Sequence, residues 1–371
     1  MGSGTVKGFA YTLALGIVVS MFTALVVSRL IVNALYAVGI QDEKFYGRAK
    51  KRKCINFVGK KNIFFIISLI LILVGPVSMM IHQKTDGSIL NYSLEFSGGT
   101  ATTVTFNEDM DIKQIDSEVT PVVEKVTGDK NVQPTKVVGT NQVIIKTRSL
   151  NLDEREALNQ AMVDNFDVDE ALISTESISS TVSSEMRQDA FVAVVVATLC
   201  MLAYIWIRFK DIRFASSAVL ALVHDVLVVF AFYALARISV GNTFIACMLT
   251  IVGYSINATI VIFDRIRENL QNQPEDNPAP LADIINLSVN QTLGRTIMTS
   301  ATTLIAALSL TILGGGAIHD FALTMSLGVF IGTFSSVFVS NPILLLLGDT
   351  RQYMVARKKV EYERPGEHGV V

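Results

Sequence analysis

The sequence has little charge for its length. Of its 371 residues, 17% are Asp, Glu, Lys or Arg and 50% are hydrophobic, whereas a typical soluble domain is about 25% charged. The formal net charge is only −2, so the chain lacks the basic surplus that is typical of nucleic-acid-binding proteins. These shortages argue against a wholly water-soluble protein and against a nucleic-acid partner.

Cysteine and histidine are also scarce. The three cysteines, Cys54, Cys200 and Cys247, lie in a basic segment and in two apolar runs, so they indicate no disulfide framework. The four histidines do not have the spacing of metal ligands. We therefore expect no metal site. We also expect no other cofactor and no enzymatic activity.

Long apolar runs dominate the rest of the chain. A membrane-spanning helix needs about 20 such residues, and seven runs reach this length. They are Phe9–Tyr36, Ile63–Ile81, Phe191–Phe209, Ala215–Ala236, Thr243–Phe263, Thr299–Ile318 and Phe321–Leu347. One long polar stretch, residues 83–188, separates the second run from the third. The pattern predicts a polytopic helical bundle with one inserted extramembrane domain.

Lysine and arginine are concentrated on one side of these runs. The segment 41–61 alone holds eight of them, and more follow the third, fifth and seventh runs. The other side carries few, chiefly Lys7 and Arg237. Because basic loops stay in the cytoplasm, the asymmetry predicts a cytoplasmic C-terminus and an extracytoplasmic domain at 83–188.

The first apolar run is repeated within the last one. Eight identities occur without a gap at a constant offset of 312 positions, from Phe9 and Phe321 at one end to Ser28 and Ser340 at the other. Both runs would cross the membrane from outside to inside, as a parallel repeat requires. We interpret the first helix as the last helix of a missing, homologous half. Shared packing of small residues without duplication is the alternative.

The polar domain alternates between strand-like and helix-like patterns. The predicted order is β-α-β-β-α-β, which is that of a ferredoxin-like α+β unit. Its strands are predicted at Leu94–Phe106, Thr135–Val138, Gln142–Thr147 and Ala171–Ile178, and its helices at Ile112–Val126 (broken by Pro121) and Asp153–Phe166. The domain has no cysteine, no histidine and no clustered carboxylates, so we expect a binding or lever domain.

Two adjacent ionisable residues, His224 and Asp225, lie near the middle of the fourth run. Ionisable groups at this depth are costly and are candidates for function. Asp225 could take up and release a proton, or it could only hydrogen-bond a neighbouring helix. Consecutive helical residues point about 100° apart, so we do not expect the two side chains to need contact.

Two further polar residues are weaker candidates. Asn257 lies in the fifth run among small residues, where an amide suits tight helix packing, and packing is the interpretation we favour. Arg295 precedes the sixth run, where an arginine often extends its side chain to the membrane surface. Hydroxyl residues follow it, from Thr296 to Thr303. We retain Asp225, Arg295, His224 and Asn257 as candidates for proton coupling.

Five segments resemble the SecD/SecF family of protein-export membrane proteins, which belongs to the resistance-nodulation-division (RND) superfamily. They are LEFSGGT (Leu94–Thr100), VHDV (Val223–Val226), GYSINATIVIFDRIREN (Gly253–Asn269), QTLGRTIMTSATT (Gln291–Thr303) and Phe321–Ser336. The resemblance covers about Gly59 to Gly348 and is to the SecF half. The first helix is similar to the closing helix of the SecD half, sometimes fused to SecF in one chain.

The resemblance implies a location in the bacterial plasma membrane and a set of partners. These are SecD, the SecYEG channel, the translocating unfolded polypeptide and YidC, and the proton-motive force would drive export. The family has an aspartate in the phrase GYSIND that is linked to proton passage, with an arginine in the next helix. The arginine corresponds to Arg295, but Ala258 occupies the aspartate position. Proton coupling must therefore use Asp225 or a carboxylate of the SecD half, or be lost.

Six segments follow from these observations. They are a SecD-like helix (1–40), a basic cytoplasmic linker (41–61), a first helix (62–82), the ferredoxin-like domain (83–188), a five-helix bundle (189–348) and a cytoplasmic tail (349–371). Two other functions stay open. One is a proton-coupled exporter of small molecules or lipids, as in other RND proteins, and the other is a non-conducting scaffold of the translocon.

Overall fold

A computed structural model of the chain describes residues 4–42, 55–85, 89–111, 114–130, 132–137, 140–166, 168–274, 278–314 and 316–348. Most of the basic linker, residue 139 of the predicted hairpin turn and the tail 349–371 lie outside these ranges.

The described residues contain seven helices that are long and apolar enough to span a membrane. In chain order they are α1 (Ala10–Ala37), α2 (Val58–Thr85), α5 (Ser180–Phe209), α6 (Ile212–Ala236), α7 (Asn242–Gln271), α8 (Leu281–Leu313) and α9 (Ile318–Leu346). Two shorter helices, α3 (residues 115–127) and α4 (Leu152–Phe166), belong to the inserted domain. The polytopic helical fold that the apolar runs predict is confirmed.

Helix α8 differs most from its prediction. The sequence placed its start at Thr299 and its end at Ile318, but the helix runs from Leu281 to Leu313. Its first half was missed because polar residues interrupt the apolar ones, yet Leu281, Ile284 and Ile285 form one buried stripe. Such amphipathic spacing sustains a helix without a long apolar run. Arg295 therefore lies inside α8 and not at its beginning.

Helices α6, α7 and α9 form the centre of the bundle, with half or more of their apolar windows buried. Two glycines of α9 permit their close approach. A Cβ atom on Gly328 would lie 2.3 Å from a side-chain carbon of Ile251, and one on Gly332 would lie 3.0 Å from Cβ of Ser255. Small residues allow membrane helices to pack closely. The three central helices thus bring their polar residues within hydrogen-bonding distance.

The inserted domain is a four-stranded antiparallel sheet with two helices. Its elements are β1 (Gly99–Thr105), α3 (residues 115–127), β2 (Gln133–Lys136), β3 (Gln142–Thr147), α4 (Leu152–Phe166) and β4 (Ile173–Ile178). The strand order is β2-β3-β1-β4. Val104 of β1 pairs with Val143 of β3, and both pack against buried residues of α3 and α4. This is the predicted ferredoxin-like arrangement.

Two local predictions for this domain are wrong. Residues Leu94–Ser97 form a helical turn and not the start of a strand. Gly98 and Gly99 follow with φ angles of 70° and 109°, and these positive angles separate the turn from the extended residues of β1. Pro121 does not break its helix. A π-helical turn leads directly into the α-helical part, and Pro121 lies at the start of that part, where a missing N–H is tolerated.

Candidate functional site

Asp225 lies where α6, α7 and α9 meet, and its side chain is completely buried. Its Oδ2 atom accepts hydrogen bonds from the hydroxyl of Ser255 on α7 and from that of Ser335 on α9, the latter at 2.7 Å. Buried carboxylates are costly in a membrane unless such partners exist. Two other helices therefore supply hydrogen-bond donors to the buried carboxyl group of Asp225.

His224 contacts Asp225, contrary to the expectation that the two side chains need not touch. Nδ1 of His224 lies 2.9 Å from Oδ1 of Asp225, and the ring stacks on Phe334 with centroids 6.3 Å apart. The angle of about 100° between consecutive residues describes the directions of their Cβ atoms. It does not fix the ends of the side chains, and the rotamers of His224 and Asp225 bring these ends together. Nε2 of His224 is buried and has no hydrogen-bond partner among the described residues. The hydrogen bond therefore links the imidazole of His224 to the carboxyl group of Asp225.

Further hydroxyl and amide groups lie between the His224–Asp225 pair and the end of the bundle where α5 and α7 finish. Thr259 on α7 lies 3.0 Å from Ser336 on α9, oxygen to oxygen. Asn341 donates to the carbonyl of Ser336 at 2.8 Å. Arg208 and Asp264 form an ion pair of 2.9 Å at that end. These groups give the α7–α9 contact polar surroundings between Asp225 and this ion pair.

Arg295 and Asn257 lie in a separate cleft between α7 and α8. Its volume is about 60 Å³, and it is lined by Tyr254, Asn257, Ala258, Val261, Arg295, Thr296, Thr299 and Ser300. Tyr254 donates to Ser300 at 3.3 Å, and Ser300 also accepts from Thr333 of α9 at 2.6 Å. The four predicted residues thus form two groups, His224 with Asp225 and Arg295 with Asn257.

Sequence reasoning did not identify Ser255 and Ser335 as partners of Asp225. Ser255 stands two positions before Asn257, in a segment for which the sequence favoured helix packing and singled out Asn257. Ser335 is 110 positions from Asp225. Serine is common in membrane helices because it packs tightly, so neither residue carried a signal of its own. Only the helix packing selects them.

The inserted domain is attached to the loop between α6 and α7. Val240 of this loop donates its N–H to the carbonyl of Asn91 at 2.7 Å, and Ser93 donates to the carbonyl of Val240 at 3.0 Å. Asn91 also donates to the carbonyl of Arg237 at 2.9 Å. We call this contact, made by residues 91–95 and Lys146 on one side and residues 237–242 on the other, the interdomain joint.

Glu95, Lys146 and Arg237 are the charged residues of the interdomain joint. Glu95 accepts the backbone N–H of Asn242 at 2.9 Å, so it caps the first turn of α7, where a carboxylate is favourable. Lys146 of β3 donates to Asn91 and to the carbonyl of Tyr92, at 3.2 and 3.0 Å. Burial, and to a lesser extent Arg237, lowers the pKa of Lys146. The joint therefore connects the sheet with the helix that carries Ser255.

Comparison with known proteins identifies the family. The sequence model of "Protein export membrane protein SecD/SecF, C-terminal" matches residues 158–350, which is more than half of the chain. The protein translocase subunit SecF of Thermodesulfovibrio yellowstonii is 36% identical over 295 residues, covering 79% of this chain and 95% of that protein. The chain belongs to the SecD/SecF family.

Longer SecD/SecF family members match as well. The protein translocase subunit SecDF of Thermus thermophilus is 32% identical over 96% of this chain, and the chain spans 46% of that protein. The crystal structure of the Thermus thermophilus SecDF has a TM-score of 0.79 at 33% identity and covers 93% of this chain. A second SecDF structure, described as a super-membrane-facing form, has a TM-score of 0.65 at 31% identity. The chain spans about half the length of these SecDF proteins.

Proposed function

We propose that the chain acts as a SecF-type subunit of a protein translocase, using the proton-motive force to assist export of unfolded polypeptides. Membership in a family of translocase subunits supports the export role. The coupling to protons is inferred from the position of Asp225, which is buried where α6, α7 and α9 meet. The loop between α6 and α7 is part of the interdomain joint.

In this proposal, protonation of Asp225 changes how strongly α6 holds α7 and α9. An ionised carboxylate binds the Ser255 and Ser335 hydroxyls more strongly than a neutral acid does, because charge-assisted hydrogen bonds are stronger. The position of α7 relative to α6 then depends on the proton. Since Glu95 caps α7, such a change moves the interdomain joint and with it the sheet of the inserted domain.

The proposed setting is the bacterial plasma membrane, with residues 83–188 outside and the C-terminus in the cytoplasm. The distribution of lysine and arginine supports this orientation. The proposed partners are SecD, SecYEG, the translocating polypeptide and YidC. The proposal includes no nucleic acid, metal or other cofactor; within the described residues, no group of three or more His, Cys, Asp or Glu side chains could hold a metal ion.

The two alternative functions, a non-conducting scaffold and an exporter of small molecules, can each be compared with one observation. Ala258 in the α7–α8 cleft favours a scaffold that moves no protons, because alanine cannot titrate. A small-molecule exporter is disfavoured by membership in a family of translocase subunits. We prefer the translocase subunit that couples to protons because Asp225 supplies a fully buried carboxyl group in a different part of the bundle.

Crosslinking to an arrested secretory polypeptide tests this function. A photoreactive residue at Ala157, which is exposed on α4, should crosslink to the part of the polypeptide that has emerged outside. The matched control is Asn272, exposed at the opposite end of the bundle after α7, which should give no crosslink to that part. Crosslinks only from Asn272, or from neither position in an otherwise active complex, would contradict the proposal.

A further inference from the structure

Helix α6 has a second polar contact with α9, nearer to the inserted domain than the contact of Asp225. The hydroxyl of Tyr233 lies 2.7 Å from the hydroxyl of Thr324 on α9. The side chain of Tyr233 is 1% exposed, and that of Thr324 is completely buried. Tyr233 follows Asp225 by eight positions, which is about 12 Å along a helix. The two polar contacts therefore hold α6 to α9 at two separate levels of the bundle.

Thr324 determines the direction of this second hydrogen bond. Its hydroxyl donates to the carbonyl of Asp320, one turn earlier in α9, at 2.6 Å. A threonine hydroxyl has one proton to donate and two lone pairs to accept with, so Tyr233 is the donor to Thr324. A buried hydroxyl without a partner is costly. The hydrogen bond therefore favours helix packings in which α9 stays at this distance from α6.

The ring of Tyr233 belongs to the apolar cluster at the base of the inserted domain. It packs edge-to-face on Phe244 of α7, with ring centroids 4.6 Å apart. Leu90 and Phe96, which flank residues 91–95 of the interdomain joint, are buried in the same cluster. The hydroxyl of Tyr233 thus binds α9, while its ring lies among the side chains that hold the base of the inserted domain.

Helix α9 connects this cluster with the carboxyl group of Asp225. Ser335, which donates to Asp225, and Thr324 both lie in the uninterrupted helical segment Gly316–Phe338. They are eleven positions apart, which is about 17 Å along the helix. Rigid helices and packed side chains can transmit a change between distant sites. A displacement of α9 at Ser335 therefore reaches Tyr233 through Thr324.

We propose that Tyr233 is a positioning residue for proton coupling: its hydroxyl holds α9 at Thr324 and directs a change at Asp225 into movement of the inserted domain. This role rests on the proposed function and adds a path through α9 to the path through α7 and Glu95. A phenylalanine at position 233 would fill nearly the same space in the apolar cluster. The hydroxyl is therefore the group that the role requires.

Removal of either hydroxyl tests this role in vesicles that contain the complete complex. Tyr233→Phe and Thr324→Val should each lower the gradient-dependent export increment about fivefold, the factor that 1 kcal/mol makes in an equilibrium constant. The double variant should lose no more than the weaker of the two single variants, because both remove the same hydrogen bond. Thr324→Ser keeps the hydroxyl and should retain the increment. Tyr204→Phe, at a tyrosine of α5 that is 52% exposed, is the matched control and should have no effect.

A distance measurement separates this role from a purely structural one. Spin labels at Ala157, exposed on α4, and at Phe330, 62% exposed on α9, report the position of α9 relative to the inserted domain. Without a gradient, Tyr233→Phe should give the same distance distribution as the chain with Tyr233. The shift that a gradient causes should be smaller. A purely structural role would change the distribution at rest, and that result would overturn the inference.

Three results of the export assay would also overturn it. They are an unchanged increment in Tyr233→Phe, losses that add up in the double variant, and a loss in Thr324→Ser as large as that in Thr324→Val. Asp225→Asn in the same assay separates these failures from a failure of the proposed function. If Asp225→Asn abolishes the increment and Tyr233→Phe leaves it unchanged, only the role of Tyr233 is rejected. If neither variant changes the increment, both are rejected.

Discussion

Replacing Asp225 with asparagine is expected to abolish the stimulation of export by a proton gradient while leaving ATP-driven export unchanged. Asparagine has nearly the same shape and can still bond Ser255 and Ser335, but it cannot release a proton. The gradient-dependent increment should fall to that of vesicles lacking the chain. The measurement is translocation of a secretory protein into vesicles with the complete complex, with and without an imposed gradient.

Asp264→Asn is the matched control for this experiment. Asp264 is a carboxylate of the same bundle, but its side chain is 39% exposed and pairs with Arg208. Exposed ion pairs contribute about 0–1 kcal/mol, so this variant should keep its gradient-dependent export. Normal stimulation in Asp225→Asn would remove Asp225 from the pathway and favour the scaffold function that Ala258 suggests.

The energy available to such a site is sufficient for a useful movement. One proton that crosses a potential of 100 mV releases about 2.3 kcal/mol. Moving a two-state equilibrium from 1:99 to 99:1 requires about 5.5 kcal/mol. Two or three protons per stroke therefore suffice on the electrical potential alone, and a pH gradient adds to this. A single titrating carboxyl group contributes about 2.3 kcal/mol per stroke at this potential, so Asp225 alone gives a smaller population shift and a titrating group of the partner adds to it.

Replacing Glu95 with alanine should reduce the gradient-dependent export increment about fivefold. The carboxylate caps the N–H of Asn242 at the start of α7, and the loss of such a cap costs about 1 kcal/mol, a factor of about five in an equilibrium constant. The expected defect lies in coupling, so ATP-driven export should persist. The measurement is the same vesicle assay, read across a series of gradient strengths.

Glu95→Gln provides the control, since its amide oxygen can still accept the Asn242 N–H. This variant should retain most of the stimulation and lose only the favourable interaction between a full negative charge and the helix N-terminus, about 0.3–1 kcal/mol. If alanine and the unmodified chain gave the same increment at every gradient, the interdomain joint would have no part in transmission.

The sequence was most informative where physical constraints act along the chain. The seven spans were predictable because the bilayer demands long apolar helices. Alternating residues such as Val143 and Ile145 identified strand β3 because one face of the sheet is buried. Helix α8 was predicted too short because polar residues such as Asp283 and Asn286 interrupt the apolar ones in its first turns.

The candidate site was predictable only in part. Asp225 was identified because a carboxyl group in an apolar run has a clear cost. Its contact with His224 depends on side-chain rotamers, and its bonds to Ser255 and Ser335 depend on how three helices pack. Glu95 was read as part of a strand, whereas the turn before Gly98 directs it to α7. These features arise from tertiary structure, which residue patterns do not encode directly.

The central claim is that the protonation of Asp225 moves the inserted domain, and a distance measurement tests it most directly. Spin labels are attached at Ala157 on α4 and at Leu313, which is exposed at the end of α8, in a complex whose chain lacks its three native cysteines. An imposed proton gradient should shift the distance distribution in the otherwise unmodified chain and leave it unchanged in Asp225→Asn. The same distribution with and without the gradient, or an equal shift in both chains, would contradict the claim.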